Sequence, residues 1–179
     1  KGVPGLIFTT ENNPCGSPRM GLGYAIVGQL LIFSHVGLIK ITDKDLREVM
    51  MVVDKYTKLY GVDVKENLAK HTAVLLKNRA VLFMAAEHLV GNAHAAANQM
   101  NENNKRLAAS FALPELNHHL LEGMKLPTSN ERGLLAVIFN SNLYDARVSK
   151  RVAITRTVLA QNNIAQVEYL LAEAKPLLQ

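Results

Sequence analysis

Gln99-Met100-Asn101-Glu102-Asn103-Asn104-Lys105, the run Arg106 to Leu113, and Pro114-Glu115-Leu116-Asn117-His118-His119-Leu120-Leu121-Glu122-Gly123 follow one another without a break. The first piece ends an alanine-rich helical pattern and the last opens a new one. Between them, Ser110-Phe111-Ala112-Leu113 is a short apolar run of strand character. Helix, buried strand, helix implies an α/β protein. A strand flanked in this way is expected to return Glu102 and His118 towards the same end of the sheet. A carboxylate and an imidazole meeting at a strand edge supply a base and an acid for proton transfer near neutral pH.

The same texture recurs on both sides. Ala80-Val81-Leu82-Phe83-Met84 and Leu134-Leu135-Ala136-Val137-Ile138-Phe139 are unbroken apolar runs of strand length, as parallel strands covered on both faces require. Ala165 to Leu170 reads as a last strand. Helical patterns run from about Leu89 to Asn104, from Pro114 to Gly123 with Pro114 in the first turn, and from Asp145 to Asn162, where the pattern is basic and amphipathic. Residues 126–132 read as a polar loop. The expectation is a parallel sheet with strands near 80–84, 110–113, 134–139 and 165–170, covered by helices on both faces.

Upstream, Leu6 to Thr10 has the look of a short buried strand. Pro18-Arg19 then opens an apolar stretch from Met20 to Ile39, read as one helix. Its length alone would allow a membrane span. Gln29, Ser34, His35 and the glycines 21, 23, 28 and 37 dilute it, and no second span follows, so it reads as a helix buried between two lobes or two subunits. Thr42 and Asp43 cap a helix to about Tyr60, ended by Gly61. Asn67 to Lys77 continues helical, with Leu68, Ala73, Val74 and Leu75 expected inward. The division is therefore a connecting segment 1–18, a helical arm 19–77 and a sheet domain 78–179. The sequence starts at Lys1 with neither initiator Met nor signal peptide, as the interior of a longer protein would.

With 179 residues and 49% hydrophobic content, the chain has enough material for a sizeable core. The net charge of +5 comes from scattered Lys and Arg without interleaved aromatics, which argues against a nucleic-acid platform and suits phosphorylated small molecules. The single cysteine, Cys15, excludes an internal disulfide and fits a reducing, cytoplasmic setting. It reads as an inert loop residue. His88 and His94 are badly spaced for a metal pair on one helical face. Gly21 and Gly23 lie inside an apolar helix rather than after a strand, so no dinucleotide loop is present. No metal or cofactor is expected.

The segments Gln99 to Lys105 and Pro114-Glu115-Leu116-Asn117-His118 resemble the two signature segments of the bifunctional phosphoglucose/phosphomannose isomerases, members of the sugar isomerase (SIS) domain superfamily. Pro18-Arg19 before an apolar helix and Asn67-Leu68-Ala69-Lys70 before the first strand are similar to that family as well. The likeness is tight over 99–123 and looser over the rest of 18–175. It implies the second of two SIS domains, with a flavodoxin-like three-layer sandwich, preceded by helices that connect it to the first. It implies interconversion of glucose 6-phosphate or mannose 6-phosphate with fructose 6-phosphate through a cis-enediol. In that reading Glu102 is the base, His118 opens the sugar ring from the partner subunit of a homodimer, and Arg19 steadies the enediolate. The family's phosphate-binding Ser/Thr loops belong to the first domain, which this sequence lacks. A C-terminal helix with a ring-opening Lys is also missing, so the fragment alone is expected to need its other parts. Two other readings stay open. One is a SIS module that binds a phosphosugar without turning it over, and the other is a dimerisation domain that needs only the apolar helix. For Glu102 the plain structural alternative is a helix-end carboxylate paired with Lys105 or Arg106.

Overall fold

The computed structural model describes residues 5–179, so the first four residues of the expected connecting segment lie outside the described residues. The chain forms two compact units, one ending at Val53 and one spanning Asp54–Gln179.

In the first unit, Leu6 to Thr10 is not a strand. No neighbouring strand is there to pair with it. Instead Phe8 stacks on Tyr24 with ring centroids 5.5 Å apart. The segment crosses helix α1 (Leu22–His35) at Gly28, where an added Cβ would stand 3.5 Å from Phe8 and 3.6 Å from Leu6. Pro18 opens a separate 3-10 turn, Pro18–Met20, rather than the helix itself. At 14 residues, α1 is about 21 Å long against a hydrocarbon core of about 30 Å. Among the described residues no helix is long and apolar enough to cross a membrane. Only Gly28 of α1 is buried, and Ile26, Val27, Leu31, Ile32 and Phe33 are exposed. Helix α2 (Asp43–Tyr60) starts in a capping box. The Thr42 N–H donates to Asp45 Oδ2 at 3.0 Å, and the Asp45 N–H donates back to Thr42 Oγ1 at 3.3 Å. Gly61 follows α2 because a Cβ there would meet the Thr57 carbonyl at 2.9 Å.

The second unit holds the sheet. Helix α3 (Leu68–Leu75) is capped by Asn67, which accepts the Lys70 N–H. It buries Thr72 and turns Leu68, Leu75 and Leu76 to the core, while Ala73 and Val74, both expected inward, are exposed, Val74 to 73%. After it come β1 (Ala80–Ala86), α4 (Val90–Asn104), β2 (Ala108–Leu113), α5 (Leu116–Gly123), a single turn α6 (Asn130–Gly133) within the expected polar loop, β3 (Leu134–Ser141), α7 (Ala146–Gln161) and β4 (Ala165–Leu171). All strand pairs are parallel, in the order β2-β1-β3-β4. Strands β1 and β3 are nearly continuous buried runs, with Val81, Met84, Ala85, Ala86, Leu135 and Ala136 fully enclosed. Pro114 precedes α5 rather than lying in its first turn, and its carbonyl accepts the Asn117 N–H.

Right-handed crossovers fix where the helices lie. The step from β1 to β2 goes one way along the sheet, while β2 to β3 and β3 to β4 go the other. Helix α4 therefore covers one face, and α5 with α7 covers the opposite face. On one face Phe83, Phe139 and Tyr169 form a ring ladder with centroids 5.8 and 6.0 Å apart. It continues to Thr72 of α3, whose Oγ1 is 2.8 Å from the Tyr169 hydroxyl. On the other face Arg156 of α7 bonds Gln166 and Glu168 of β4. This is the expected three-layer α/β sandwich, and its strand order is flavodoxin-like.

Candidate functional site

Helix α4 ends in a left-handed residue, Lys105 at φ 53°, and the N–H groups of Lys105 and Arg106 both reach back to the Met100 carbonyl. That cap turns the chain into β2. β2 is the edge of this sheet, so the outward N–H and C=O of Ala108 face no strand. The Asn101 amide takes both. Its Nδ2 donates to the Ala108 carbonyl at 2.8 Å and to the Ala97 carbonyl at 2.9 Å, while its Oδ1 accepts the Ala108 N–H at 3.1 Å. The residue after this clamp is Glu102, whose side chain is exposed. Lys105 Nζ bonds the Glu102 main-chain carbonyl at 2.6 Å rather than its carboxylate. Arg106 is turned away, donating to the carbonyls of Leu76 at 2.7 Å and Arg79 at 3.2 Å. Among the described residues no cation pairs with the Glu102 carboxylate.

His118 lies in the first turn of α5, its N–H bonded to the Glu115 carbonyl at 2.9 Å and its ring exposed. His119 beside it is occupied, with Nε2 2.8 Å from Glu115 Oε1. Pro114, Glu115, Asn117, His118 and Arg151 line an open depression of about 490 Å³. In its wall the Asn117 Nδ2 donates to Thr155 Oγ1 at 2.7 Å, and the Asn117 Oδ1 is buried with no partner.

Within one chain Glu102 and His118 do not meet, which corrects the sequence expectation. In a parallel sheet a crossover helix runs against the strands, so the last turn of α4 stands where β2 begins. His118 follows the point where β2 ends. The six residues of β2, at roughly 3.3 Å each, hold the two ends about 17 Å apart. Arg19 belongs to the first compact unit, in the 3-10 turn Pro18–Met20, and is half-buried.

A second polar centre escaped the sequence reading. Open α/β sheets bind ligands at the carboxyl ends of strands, where the connections diverge. Here that point lies between β1 and β3. The Gln179 side chain fills it. Its Oε1 accepts from Ser141 Oγ at 2.5 Å and lies 2.8 Å from His88 Nε2. Its Nε2 donates to Asn142 Oδ1 at 2.9 Å and to the Glu173 carbonyl at 2.7 Å. Nearby, the nearly enclosed Glu173 carboxylate accepts from Lys55 Nζ at 2.9 Å and the Tyr56 hydroxyl at 2.8 Å. Burial pushes this carboxyl up, but the hydrogen bonds from Lys55 and Tyr56 outweigh it and hold it below its ordinary value. The bond to Glu173 raises Lys55 in turn. Only Glu173 could have been suspected from sequence, as a carboxylate just past an apolar strand. Among the described residues no three His, Cys, Asp or Glu gather as metal ligands.

Residues 65–179 match the family model of the bacterial phospho-glucose isomerase C-terminal SIS domain. The chain belongs to this family. The matched segment contains both Glu102 and His118 and starts after Arg19. The chain is also similar to a bifunctional phosphoglucose/phosphomannose isomerase of Caldicellulosiruptor bescii, with 30% identity over 154 residues. That alignment covers 82% of this chain and 43% of the relative, so the chain spans less than half of that protein. A solved structure from Clostridium difficile 630, assigned as a phosphosugar isomerase, superimposes with a TM-score of 0.53 at 13% identity. The match covers 86% of this chain and 39% of that one, and at this identity it speaks for the SIS fold alone.

Proposed function

We propose that this SIS domain serves a cytoplasmic aldose–ketose isomerase that interconverts glucose 6-phosphate or mannose 6-phosphate with fructose 6-phosphate. Glu102 moves a proton between C2 and C1 through a cis-enediol. His118 exchanges protons with the sugar oxygens as the ring opens, and Arg19 offers a permanent cation to the enediolate oxygen. The division into a connecting segment 1–18, an arm 19–77 and a SIS domain 78–179 belongs to the same proposal. The observation that carries it is the family match across both signature segments, joined to an exposed Glu102 carboxylate that no cation neutralises. A carboxylate left open at the end of a helix, against the negative end of the helix dipole, is costly unless it has work to do.

The separation of Glu102 from His118 gives the proposal its form: the working site combines Glu102 of one chain with His118 of another in a homodimer. The exposed apolar side chains of α1 supply surface for such a contact. Complementation tests this in the protein carrying this chain. Glu102→Gln and His118→Ala variants should each be inactive, and mixed dimers should regain about a quarter of parent activity, because a two-fold dimer then holds one intact site in half of its molecules. Mixed dimers that form but stay inactive overturn the shared site. A phosphosugar-binding module without turnover is the second reading, favoured by the same separation, since a binder has no need to unite the two groups.

A further inference from the structure

Strand β2 is a sheet edge that is closed at both ends and open in the middle. The Val81 N–H donates to the Leu107 carbonyl at 3.0 Å, so by alternation Ala109, Phe111 and Leu113 also turn their peptides to β1. The peptides of Ala108, Ser110 and Ala112 therefore point away from the sheet. Asn101 closes the first of these. The next outward residue after Ala112 is Pro114, which has no N–H and whose carbonyl accepts the Asn117 N–H at 3.0 Å. Ser110 and Ala112 remain, and their outward N–H and C=O meet no partner among the described residues. Both residues are only half-buried. Edge strands are commonly kept from pairing with other chains by charge, proline or a bulge. The other edge, β4, carries Glu168, held by Arg156. From Ala108 to Leu113, β2 has neither charge nor proline.

We infer that β2 pairs with the β2 of a second copy of this chain, antiparallel, about a two-fold axis at Phe111. Ser110 of one copy then faces Ala112 of the other and exchanges both N–H···O=C bonds with it, twice over by symmetry. Only this register uses every open group. An axis at Ser110 or at Ala112 would set the remaining open residue against Ala108 or Pro114, which have no free pair of groups to offer. The pairing is short, because the Asn101 amide takes the place of a strand at Ala108 and the chain turns off into α5 after Pro114. The half-buried Phe111 ring, packed on the core, meets its copy across the axis as a cross-strand aromatic pair. Antiparallel pairing also runs the start of one β2 beside the end of the other. Glu102, next to the residue that clamps Ala108, thereby approaches His118 of the other copy, which follows Pro114 in the first turn of α5. The inference rests on the shared-site reading for the choice of partner, and on the edge alone for the register.

Oxidative cross-linking tests the register in the protein carrying this chain, with Cys15→Ser so that the chain's own thiol is absent. Peptide mass spectrometry identifies which introduced thiols have joined. Facing residues of an antiparallel pair have Cα atoms about 5.5 Å apart when they exchange bonds and about 4.5 Å apart when they do not, both within disulfide range. Phe111→Cys should therefore cross-link by itself. Ser110→Cys and Ala112→Cys, which change side-chain size little and leave the fold intact, should cross-link when mixed and exchanged. Each of these alone should link at least about tenfold less, since like residues then lie on a diagonal of roughly 7–8 Å. A mixed pair that gives no link, or single and mixed pairs that all link alike, would overturn the inference. So would a protein that sediments only as a monomer. The mixture of Glu102→Gln and His118→Ala separates this inference from the shared site. Links in the expected pattern without recovered activity sustain the edge pairing and refute the shared site. Recovered activity without those links does the reverse.

Discussion

Asn101 offers the sharpest test of how the structure builds the backbone around Glu102. Its amide makes three hydrogen bonds, two of them to the N–H and C=O of Ala108. Those two groups point away from β1 at the sheet edge, so no strand replaces the amide if it is lost. Ala108 itself is 8% exposed, which limits rescue by water. At about 0.5–1.5 kcal/mol for each bond, and with partial hydration of the freed groups, Asn101→Ala should cost about 2 kcal/mol. For a chain of this size that corresponds to a fall in Tm of roughly 6 °C. Asn101→Asp is the stricter variant. It keeps an acceptor for the Ala108 N–H but loses both donated bonds and sets a carboxylate oxygen against two carbonyl oxygens. Calorimetry on the three proteins should therefore rank the parent above Ala, with Asp no better than Ala. A drop below about 1 °C for Ala, or an Asp variant as stable as the parent, would refute the pairing argument.

Glu102→Gln should hold Tm at the parent value or raise it by up to about 3 °C, because the replaced carboxylate is exposed, pairs with no cation and opposes the helix dipole. In the protein carrying this chain, kcat should fall by about 10²–10⁴, the usual worth of a general base, and turnover within threefold of the parent would end the assignment. A third expectation concerns acid. The folded Glu173 carboxyl titrates below its ordinary value of 4.5, so its stabilisation is complete above that value and is lost as pH falls through the folded one. Urea midpoints between pH 6 and 3 should drop more steeply for the parent than for Glu173→Gln, and equal slopes would contradict the bonding to Lys55 and Tyr56. Lys55 carries the opposite sign, its contribution fading only as pH rises beyond the ordinary lysine range.

What the sequence disclosed and what it withheld differ in kind. The four strands were legible because parallel strands covered on both faces need unbroken apolar runs, and 80–84 and 134–139 are such runs. The cap at Thr42 was local enough to read. The strand expected at Leu6 to Thr10 failed because a strand needs a neighbour, and hydropathy names no neighbour. Val74 failed because a helix as short as α3 leaves its buried face underdetermined by spacing. The depression beside His118 was out of reach, since it unites the start of α5 with the second turn of α7 across more than thirty residues of sequence. Gln179 was still less visible, as its four partners come from the ends of three strands.

The misplacement of Glu102 relative to His118 is of another sort, because the information was present. Once the strands are parallel, the helix between β1 and β2 must run back against them. Its last turn then stands at the opposite end of the sheet from whatever follows β2. A reading that weighs residue types alone sees a base and an acid close in sequence and brings them together. Adding the direction of travel separates them by the length of a strand. Asn101 fits the same logic. At an edge strand the outward peptide of Ala108 needs a partner that both donates and accepts, and of the side chains at the end of α4 a carboxamide can do this where a carboxylate cannot. The amide that closes the edge and the carboxylate left open to solvent are therefore neighbours by necessity. Asn101 fixes the backbone from which Glu102 projects, so whatever loosens the first should blur the second.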